Sequence, residues 1–280
     1  MSDSEHYRTI ADHYRAGAGE PVLLIHGFTA TWRAWGEVPA RLAQEYDVLA
    51  VTLPGHTDGP ELPEGDSIPL LADALEAMLD EVGWTHAHLV GFSLGGWLSL
   101  ELAKRGRART VTAVSPGGGE TENHDRESRR IRWLFARLHL GARMMLPLAD
   151  DLCRRPRFRK LAMQDQMVDG SKLKPRESAA MIRAFATTPV FKRFLAEIGR
   201  GGASLTDLDR VMVPVTVLWG VKDRVLPERL HGPFFRRELP HATYRTMPNA
   251  GHVPFWEATD AVVDGVRQTT RMAGAGFEPA

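Results

Sequence analysis

Short apolar runs alternate with amphipathic stretches through the first part of the chain. Residues 22–25 and 47–52 are β-branched or aliphatic runs typical of buried strands, and residues 32–45 place apolar side chains at helical spacing between them. A strand, a helix and a second strand in this order indicate a parallel sheet with crossover connections. The pattern therefore predicts an α/β fold.

The alternation continues beyond the second strand. A loop rich in proline and glycine at residues 53–65 precedes an amphipathic helix over 67–82. Residues 86–92 and 110–114 are predicted strands, and residues 93–105 between them are a predicted helix.

The pattern changes after residue 119. Residues 120–200 hold helical patterns rich in Arg, Met and Phe, without a convincing strand. Strand and helix patterns then alternate again, at residues 213–219, 227–237, 242–247 and 253–271. We predict a core domain made of residues 1–119 and 201–280, interrupted by a helical cap at 120–200.

Composition is that of an ordinary globular protein, with 280 residues of which 43% are apolar and 25% are charged. The first residues lack the basic and apolar stretches of a signal peptide, and no stretch approaches the roughly 18 unbroken apolar residues of a membrane span. Cys153 is the only cysteine, which excludes an intramolecular disulfide and a cysteine-based metal cluster. We expect a cytoplasmic protein without membrane insertion.

The formal net charge is zero, but the charges are unevenly distributed. Residues 120–200 hold about 18 Lys and Arg against about 10 Asp and Glu, and the rest of the chain holds about 17 against about 25. A basic segment can bind nucleic acid, a membrane surface or an acidic ligand, but arginines on outer helix faces are more often simply solvated. We expect no nucleic-acid partner.

A candidate nucleophile lies between a predicted strand and a predicted helix. Gly91-Phe92-Ser93-Leu94-Gly95 fits the pattern G-x-S-x-G, in which a strained turn exposes the serine and the flanking small residues let strand and helix approach. The five residues alone are weak evidence, because a serine at a helix N-terminus looks alike. Their position after a strand points to Ser93 as a nucleophile.

A serine hydroxyl needs an imidazole to take its proton and a carboxylate to orient that imidazole. His252 follows the last predicted strand, and Asp223 follows the strand before it. Both fall at the carboxyl ends of parallel strands, the edge where Ser93 lies and where such sheets bind ligands. The other place for the acid is residues 115–117, which offer no carboxylate. We predict a catalytic triad of Ser93, Asp223 and His252.

Acyl transfer also needs donors aimed at the developing oxyanion. The N–H of Leu94, directly after the predicted nucleophile, is one candidate, and the N–H of Phe28, after the first buried strand, is the second. Taken alone, His26-Gly27 before Phe28 is typical of an ordinary turn that ends a strand. His56 is expected to order its own loop rather than to take part in chemistry.

Five segments together resemble the α/β-hydrolase superfamily, over about residues 17–270. They are Val22-Leu23-Leu24-Ile25-His26-Gly27-Phe28, Leu53-Pro54-Gly55-His56, Gly91-Phe92-Ser93-Leu94-Gly95-Gly96, Gly220-Val221-Lys222-Asp223 and Asn249-Ala250-Gly251-His252. The order Ser, Asp, His also matches. The resemblance implies a mostly parallel, doubly wound sheet with an inserted helical cap. Two departures are the short segment between Tyr7 and Gly17, which predicts a shortened first sheet edge, and the missing second glycine after His56.

The resemblance implies a serine hydrolase that acts on a small-molecule acyl substrate with water through an acyl-enzyme, without a cofactor or a metal. Relatives that open epoxides or remove halides have an aspartate at the position of Ser93. A carboxylic ester, small to medium and apolar, is the first expectation. A thioesterase, a carbon–carbon bond hydrolase and a ligand sensor on the same fold stay open, because the triad does not separate them. The oligomeric state also stays open.

Two sets of cap residues bear on the substrate. One set lines an acyl pocket or forms the cap's own core: Trp133, Leu134, Phe135, Met144, Met145, Met163, Met167, Phe185, Phe191 and Phe194. The other set favours an anionic substrate if it converges on the entrance: Arg154, Arg155, Arg157, Arg159 and Lys160.

Overall fold

The computed structural model of the protein describes residues 12–200 and 204–274. In chain order the elements are β1 (His13–Ala16), β2 (Glu20–Ile25), α1 (Val38–Leu42), β3 (Tyr46–Val51), α2 (Ser67–Glu81), β4 (Ala87–Phe92), α3 (Leu94–Lys104), β5 (Ala108–Val114), α4 (His124–Met145), α5 (Ala149–Cys153), α6 (Pro156–Ala162), α7 (Pro175–Thr187), α8 (Phe191–Gly199), β6 (Val215–Gly220), α9 (Glu228–Glu238), β7 (Thr243–Met247) and α10 (Thr259–Ala273). The predicted domain limits at residues 1, 201 and 280 lie outside the described residues, so the division into domains stays a prediction.

One sheet of seven strands has the order β1-β3-β2-β4-β5-β6-β7. Neighbouring strands pair in parallel except β1 and β3, which are antiparallel. The central strands β4 and β6 are buried along their whole length, which explains why they appear in the sequence as continuous apolar runs rather than alternating ones. Helix α3 packs on β4 and β5, and α10 packs on β5 and β6.

The observed elements differ from the sequence pattern at three places. The predicted helix over 32–45 is a 3-10 turn at Trp32–Trp35 followed by the short helix α1, because Gly36 has a positive φ of 58° and breaks the helical course. The predicted helix over 253–271 begins six residues later, at Thr259, after a 3-10 turn. The hydrophobic pattern alone did not indicate β1, whose four residues form an antiparallel edge beside β3; from the resemblance we expected only that this first edge is short.

Residues 120–200, all of which the structure describes, contain α4 to α8 and no strand. We refer to this segment as the cap. It enters the chain between β5 and β6, which are neighbours in the sheet. The cap therefore leaves and rejoins the sheet at adjacent strands.

The turn from β4 into α3 depends on two close approaches of the backbone. A Cβ atom on Gly95 would lie 1.8 Å from the carbonyl oxygen of Ile25, and a Cβ on Gly91 would lie 2.0 Å from the carbonyl oxygen of Gly95. Real Cβ atoms do not come so close to a carbonyl oxygen, so only glycine lets α3 begin directly against β2 and β4. This packing fixes the position of Ser93 between the two glycines.

We predict that Gly95→Ala lowers the free energy of unfolding by about 1–3 kcal/mol or more, because the added methyl group forces α3 away from Ile25. Urea unfolding measures the change. Gly141→Ala, inside α4 with its nearest neighbouring atom 3.9 Å away, is the matched control and should be neutral or stabilising. Wild-type stability in Gly95→Ala would contradict the close approach.

Candidate active site

Ser93 is held in a backbone conformation that is unfavourable for a residue with a side chain. Its φ is 53° and its ψ is −114°. The Ser93 N–H donates to the carbonyl of Val114 at 2.9 Å, and the Ser93 carbonyl accepts from the N–H groups of Trp97 at 3.1 Å and Gly117 at 3.0 Å. These three bonds keep the residue in the strained turn, a feature that clusters at functional sites.

Asp223 and His252 form a buried hydrogen-bonded pair. The distance from His252 Nδ1 to Asp223 Oδ2 is 2.7 Å, and the Asp223 side chain has no solvent exposure. The second carboxylate oxygen, Oδ1, accepts from the N–H groups of Val225 at 2.9 Å and Leu226 at 2.8 Å. Because an ionised carboxylate only accepts, His252 Nδ1 carries the proton and Nε2 is left as the basic nitrogen.

The two candidate oxyanion donors flank Ser93. Leu94 is the first residue of α3, so its N–H has no acceptor one turn earlier in the helix. Phe28 follows β2 in a loop that lies directly against the serine, since a Cβ on Gly27 would be 3.1 Å from Ser93 Cβ. Phe28, Leu94 and Ser93 line the same cavity.

Two buried histidines brace the loop that contains Phe28. The N–H of Leu53 donates to His26 Nε2 at 2.9 Å, so the proton of this ring is on Nδ1, which donates to the carbonyl of Gly27 at 2.7 Å. The ring of His56 contacts the rings of His26 and Phe28 edge-on, with centroids 5.0 Å and 6.0 Å apart. Burial lowers the pKa of His26 well below its ordinary value and lowers the pKa of His56 to about 4. Both rings are therefore neutral at physiological pH, and His26 is more than the ordinary turn residue expected from the sequence.

Two cavities meet at Ser93. Cavity A, with a volume of about 310 Å³, includes Leu94 and Trp97 in its lining. Cavity B, with a volume of about 580 Å³, includes His252 and Trp32. Both are lined by Phe28, Ser93, Phe135 and Val225.

The cap is bonded to the loop that carries Asp223. Arg130 on α4 donates to the carbonyl of Arg224 at 3.1 Å and to the carbonyl of Val225. The same guanidinium is fixed by a two-point contact with Glu127, whose Oε1 also lies 2.9 Å from His231 Nε2 on α9. Burial raises the pKa of Glu127, but hydrogen bonds from Arg130 and His231 outweigh it and lower the pKa to about 2.

The cap is also bonded to the loop that carries His252. The N–H of Val253 donates to the carbonyl of Gln166 at 2.9 Å. Glu257 joins the two segments, because its carboxylate accepts from the N–H of Gly251 at 3.0 Å and from the N–H of Asp169 at 2.7 Å. Sequence reasoning missed these bracing residues, since nothing in the local pattern distinguishes them from other charged and polar residues of the chain.

The cap residues singled out in the sequence take different positions. Arg154, Arg155, Arg157, Arg159 and Lys160 do not line cavity A or cavity B. Arg159 instead donates to the carbonyls of Cys153, Arg154 and Ser171 inside the cap. Of the apolar set, Phe135, Phe185 and Phe194 line the cavities, whereas Trp133 and Met144 are exposed. The basic cluster therefore gives no support to an anionic substrate.

We predict that the contribution of the ionised Glu127 side chain to the free energy of unfolding depends on pH. Because its pKa in the folded state is below the ordinary 4.5, its contribution is fully present above that value and is lost as the pH falls towards 2. Wild type should exceed Glu127→Gln in free energy of unfolding at pH 7, and the difference should shrink between about pH 5 and about pH 3. Urea unfolding across this range measures it, with the exposed Glu61→Gln as control. A difference that does not change with pH would contradict the assignment.

No helix among residues 12–200 and 204–274 has the length and apolar character needed to cross a membrane.

Comparison with known proteins agrees with this architecture. The Alpha/beta hydrolase family profile matches residues 22–265. Epoxide hydrolase EphH of Mycobacterium tuberculosis is 32% identical over 208 residues, which cover 71% of this chain and 92% of that protein. Pimeloyl-(acyl-carrier protein) methyl ester esterase of Neisseria meningitidis is 29% identical over 261 residues, which cover 87% of this chain and 91% of that protein.

Solved structures agree in fold. The crystal structure of the enol-lactonase from Burkholderia xenovorans has a TM-score of 0.72 to this chain at 19% identity, and the match covers 93% of this chain and 96% of that one. The seven-stranded, mostly parallel sheet and the helices packed on it are the α/β-hydrolase fold. The chain belongs to the α/β hydrolase family.

Proposed function

We propose that this hydrolase cleaves carboxylic esters through a Ser-His-Asp triad made of Ser93, His252 and Asp223. One observation carries the proposal: His252, hydrogen-bonded to buried Asp223 at 2.7 Å, lines the same cavity as Ser93, a serine in a strained turn. That arrangement supplies a nucleophile, a base and a group that orients the base.

In the proposed mechanism His252 Nε2 removes the proton from Ser93 Oγ as the oxygen attacks the ester carbonyl. The N–H groups of Phe28 and Leu94 donate to the oxyanion that forms, and buried Asp223 stabilises the imidazolium. His252 then gives its proton to the leaving alcohol, which departs and leaves an acyl group on Ser93. Water, activated by the same imidazole, releases the acid and restores the serine.

Epoxide hydrolysis is the second activity to weigh, because it is the named activity of the relative EphH. A serine that opened an epoxide would be left with an ether bond, which has no carbonyl for water to attack. A carboxylate nucleophile avoids this problem by forming an ester. The serine at position 93 therefore favours acyl transfer, and the methyl ester esterase among the relatives points to the same chemistry.

Thioesters, lactones and cleavable carbon–carbon bonds pass through similar oxyanions and remain second candidates on the same triad. The absence of the basic cap cluster from the lining of cavities A and B weighs against anionic carrier thioesters. A ligand sensor on this fold would bind without rapid turnover.

We predict that Ser93→Ala and His252→Ala lower kcat on a reactive ester such as p-nitrophenyl butyrate by roughly 10⁴- to 10⁶-fold, and Asp223→Asn by about 10⁴-fold. The loss follows from removal of the nucleophile, the base and the group that fixes the tautomer of the base. His86→Ala, an exposed histidine away from both cavities, is the control and should keep full activity. Wild-type kcat in Asp223→Asn would show that another carboxylate is the acid.

We also predict that the wild type forms one covalent adduct with a fluorophosphonate at Ser93, hydrolyses p-nitrophenyl butyrate with multiple turnovers, and forms no diol from styrene oxide. Peptide mapping locates the adduct, and product analysis follows both reactions. Diol formation that survives Ser93→Ala would exclude the serine mechanism. Labelling of Ser93 with a single slow turnover on every ester would instead favour the ligand sensor.

A further inference from the structure

Ser93 lies in the region shared by two cavities. Besides the serine, only Phe28, Phe135 and Val225 among the described residues line both cavities. The rings of Phe28 and Phe135 are in contact, with centroids 5.3 Å apart. A substrate whose carbonyl carbon bonds to Ser93 Oγ therefore extends in two directions, one into each cavity.

The cavities differ in the catalytic groups they reach. His252 lines cavity B and not cavity A, whereas Leu94 lines cavity A and not cavity B. During acylation the imidazole must reach the oxygen of the leaving alcohol in order to protonate it. That oxygen therefore lies on the His252 side of the tetrahedral carbon, the side of cavity B. The acyl chain takes the remaining direction, into cavity A.

Cavity A has the lining expected of an acyl pocket. Its apolar wall includes Ile68, Trp97, Ile131, Phe194, Ile198 and Leu226. Of the four charged side chains in the wall, Asp66 and Arg200 are exposed and opposite in sign, whereas Glu127 bonds to His231 at 2.9 Å and Glu197 accepts from Ser67 Oγ at 2.9 Å. A volume of about 310 Å³ is at the small end of ligand pockets. The cavity fits a short to medium apolar chain.

Cavity B is larger and has more polar and charged groups in its lining, beside apolar side chains such as Trp32, Phe92 and Leu138. Its volume is about 580 Å³, and its lining includes the hydroxyl groups of Thr29, Thr31 and Thr57. Charged side chains of both signs also line it: Arg33, Asp58, Asp150, Arg176, Glu177 and Arg183. Three cations and three anions leave no net charge, so the lining suits a large group that forms hydrogen bonds and is itself uncharged.

We propose that the substrate is an ester of a short to medium apolar acid with a bulky, uncharged polar alcohol, the acyl chain lying in cavity A and the alcohol in cavity B. This assignment rests on the ester hydrolysis proposed above. It deepens that proposal by naming the substrate class and the direction in which each half of the ester lies.

Two tryptophan substitutions on α4 separate the halves of the site. Ile131 lines cavity A only and Leu138 lines cavity B only, and both side chains are half-buried on the same helix. Ile131→Trp fills part of cavity A and Leu138→Trp fills part of cavity B. Each variant is thus the matched control of the other, and thermal unfolding checks that both are folded. Ile198→Trp replaces Ile131→Trp if the latter does not fold.

The experiment measures kcat/KM on two ester series. The first varies the acid, from acetate to hexanoate, on p-nitrophenol. The second keeps butyrate and varies the alcohol, through methanol, glycerol and glucose. Comparing ratios within each series between variant and wild type cancels the intrinsic reactivity of the esters. In the wild type, kcat/KM should rise by up to roughly threefold to fourfold for each methylene of the acyl chain.

Ile131→Trp should lower the hexanoate-to-acetate ratio by about tenfold or more and leave the glucose-to-methanol ratio unchanged. Leu138→Trp should lower the glucose-to-methanol ratio of kcat/KM and leave the hexanoate-to-acetate ratio unchanged. For a variant too slow to assay, binding of n-alkylboronic acids gives the acyl profile without turnover, because their alkyl group takes the place of the acyl chain on a tetrahedral boron at Ser93.

The opposite result, in which Leu138→Trp lowers the hexanoate-to-acetate ratio and Ile131→Trp lowers the glucose-to-methanol ratio, would overturn the assignment of the two cavities. It would not contradict ester hydrolysis itself. Equal effects of both variants on both ratios would also overturn the assignment. A wild type that neither reacts with a fluorophosphonate nor hydrolyses any ester of either series would refute the proposed function itself. The two failures are therefore distinguishable.

Discussion

The close approach of α3 to β2 is the constraint on which the rest of the site depends. Without a side chain at Gly91 and Gly95, the helix begins within contact of the Ile25 carbonyl, and Ser93 is forced to a positive φ between them. The neighbouring strand β5 completes the turn, because the Val114 carbonyl accepts from the serine N–H. The same geometry leaves the Leu94 N–H without a helical acceptor, beside the serine hydroxyl. The strained turn and the N–H group that we propose as an oxyanion donor are thus two results of one packing contact.

The cap acts as a structural part of the site as well as a cover. Arg130 holds the carbonyls of the turn that follows Asp223, while Gln166 and Glu257 hold the backbone on both sides of His252. Buried charge is costly unless it is paired, and here the pairing of Glu127 with Arg130 and His231 links the cap to α9. Movement of the whole cap away from the sheet would break these bonds. If these hydrogen bonds stay intact, the substrate must enter the cavities through a part of their lining that does not depend on moving the whole cap.

Much of the architecture could be predicted from the sequence because its signals are local. Buried parallel strands appear as unbroken apolar runs, and the glycine-flanked Ser93 identifies the turn from strand to helix. The positions of Asp223 and His252 followed from one rule, that the carboxyl ends of parallel strands share an edge. The 2.7 Å hydrogen bond between the two side chains agrees with that rule.

Other features depend on contacts between distant parts of the chain and could not be read locally. The four residues of β1 carry too little pattern to predict a strand, and their pairing with β3 makes them one. The bracing role of Glu257 depends on residues of the cap, far away in sequence. Which cap side chains face Ser93 depends on how α4 lies over the sheet: Phe135 lines both cavities, whereas Trp133, two residues earlier, is largely exposed.

The central claim is that Ser93 carries the acyl group during turnover. The most direct measurement is acid quenching of the wild-type protein during hydrolysis of p-nitrophenyl butyrate, followed by mass spectrometry of its peptides. The account predicts a butyryl group on the peptide containing Ser93, which disappears once the substrate is consumed. Turnover without any acylated peptide, or with the acyl group on a different residue, would contradict it.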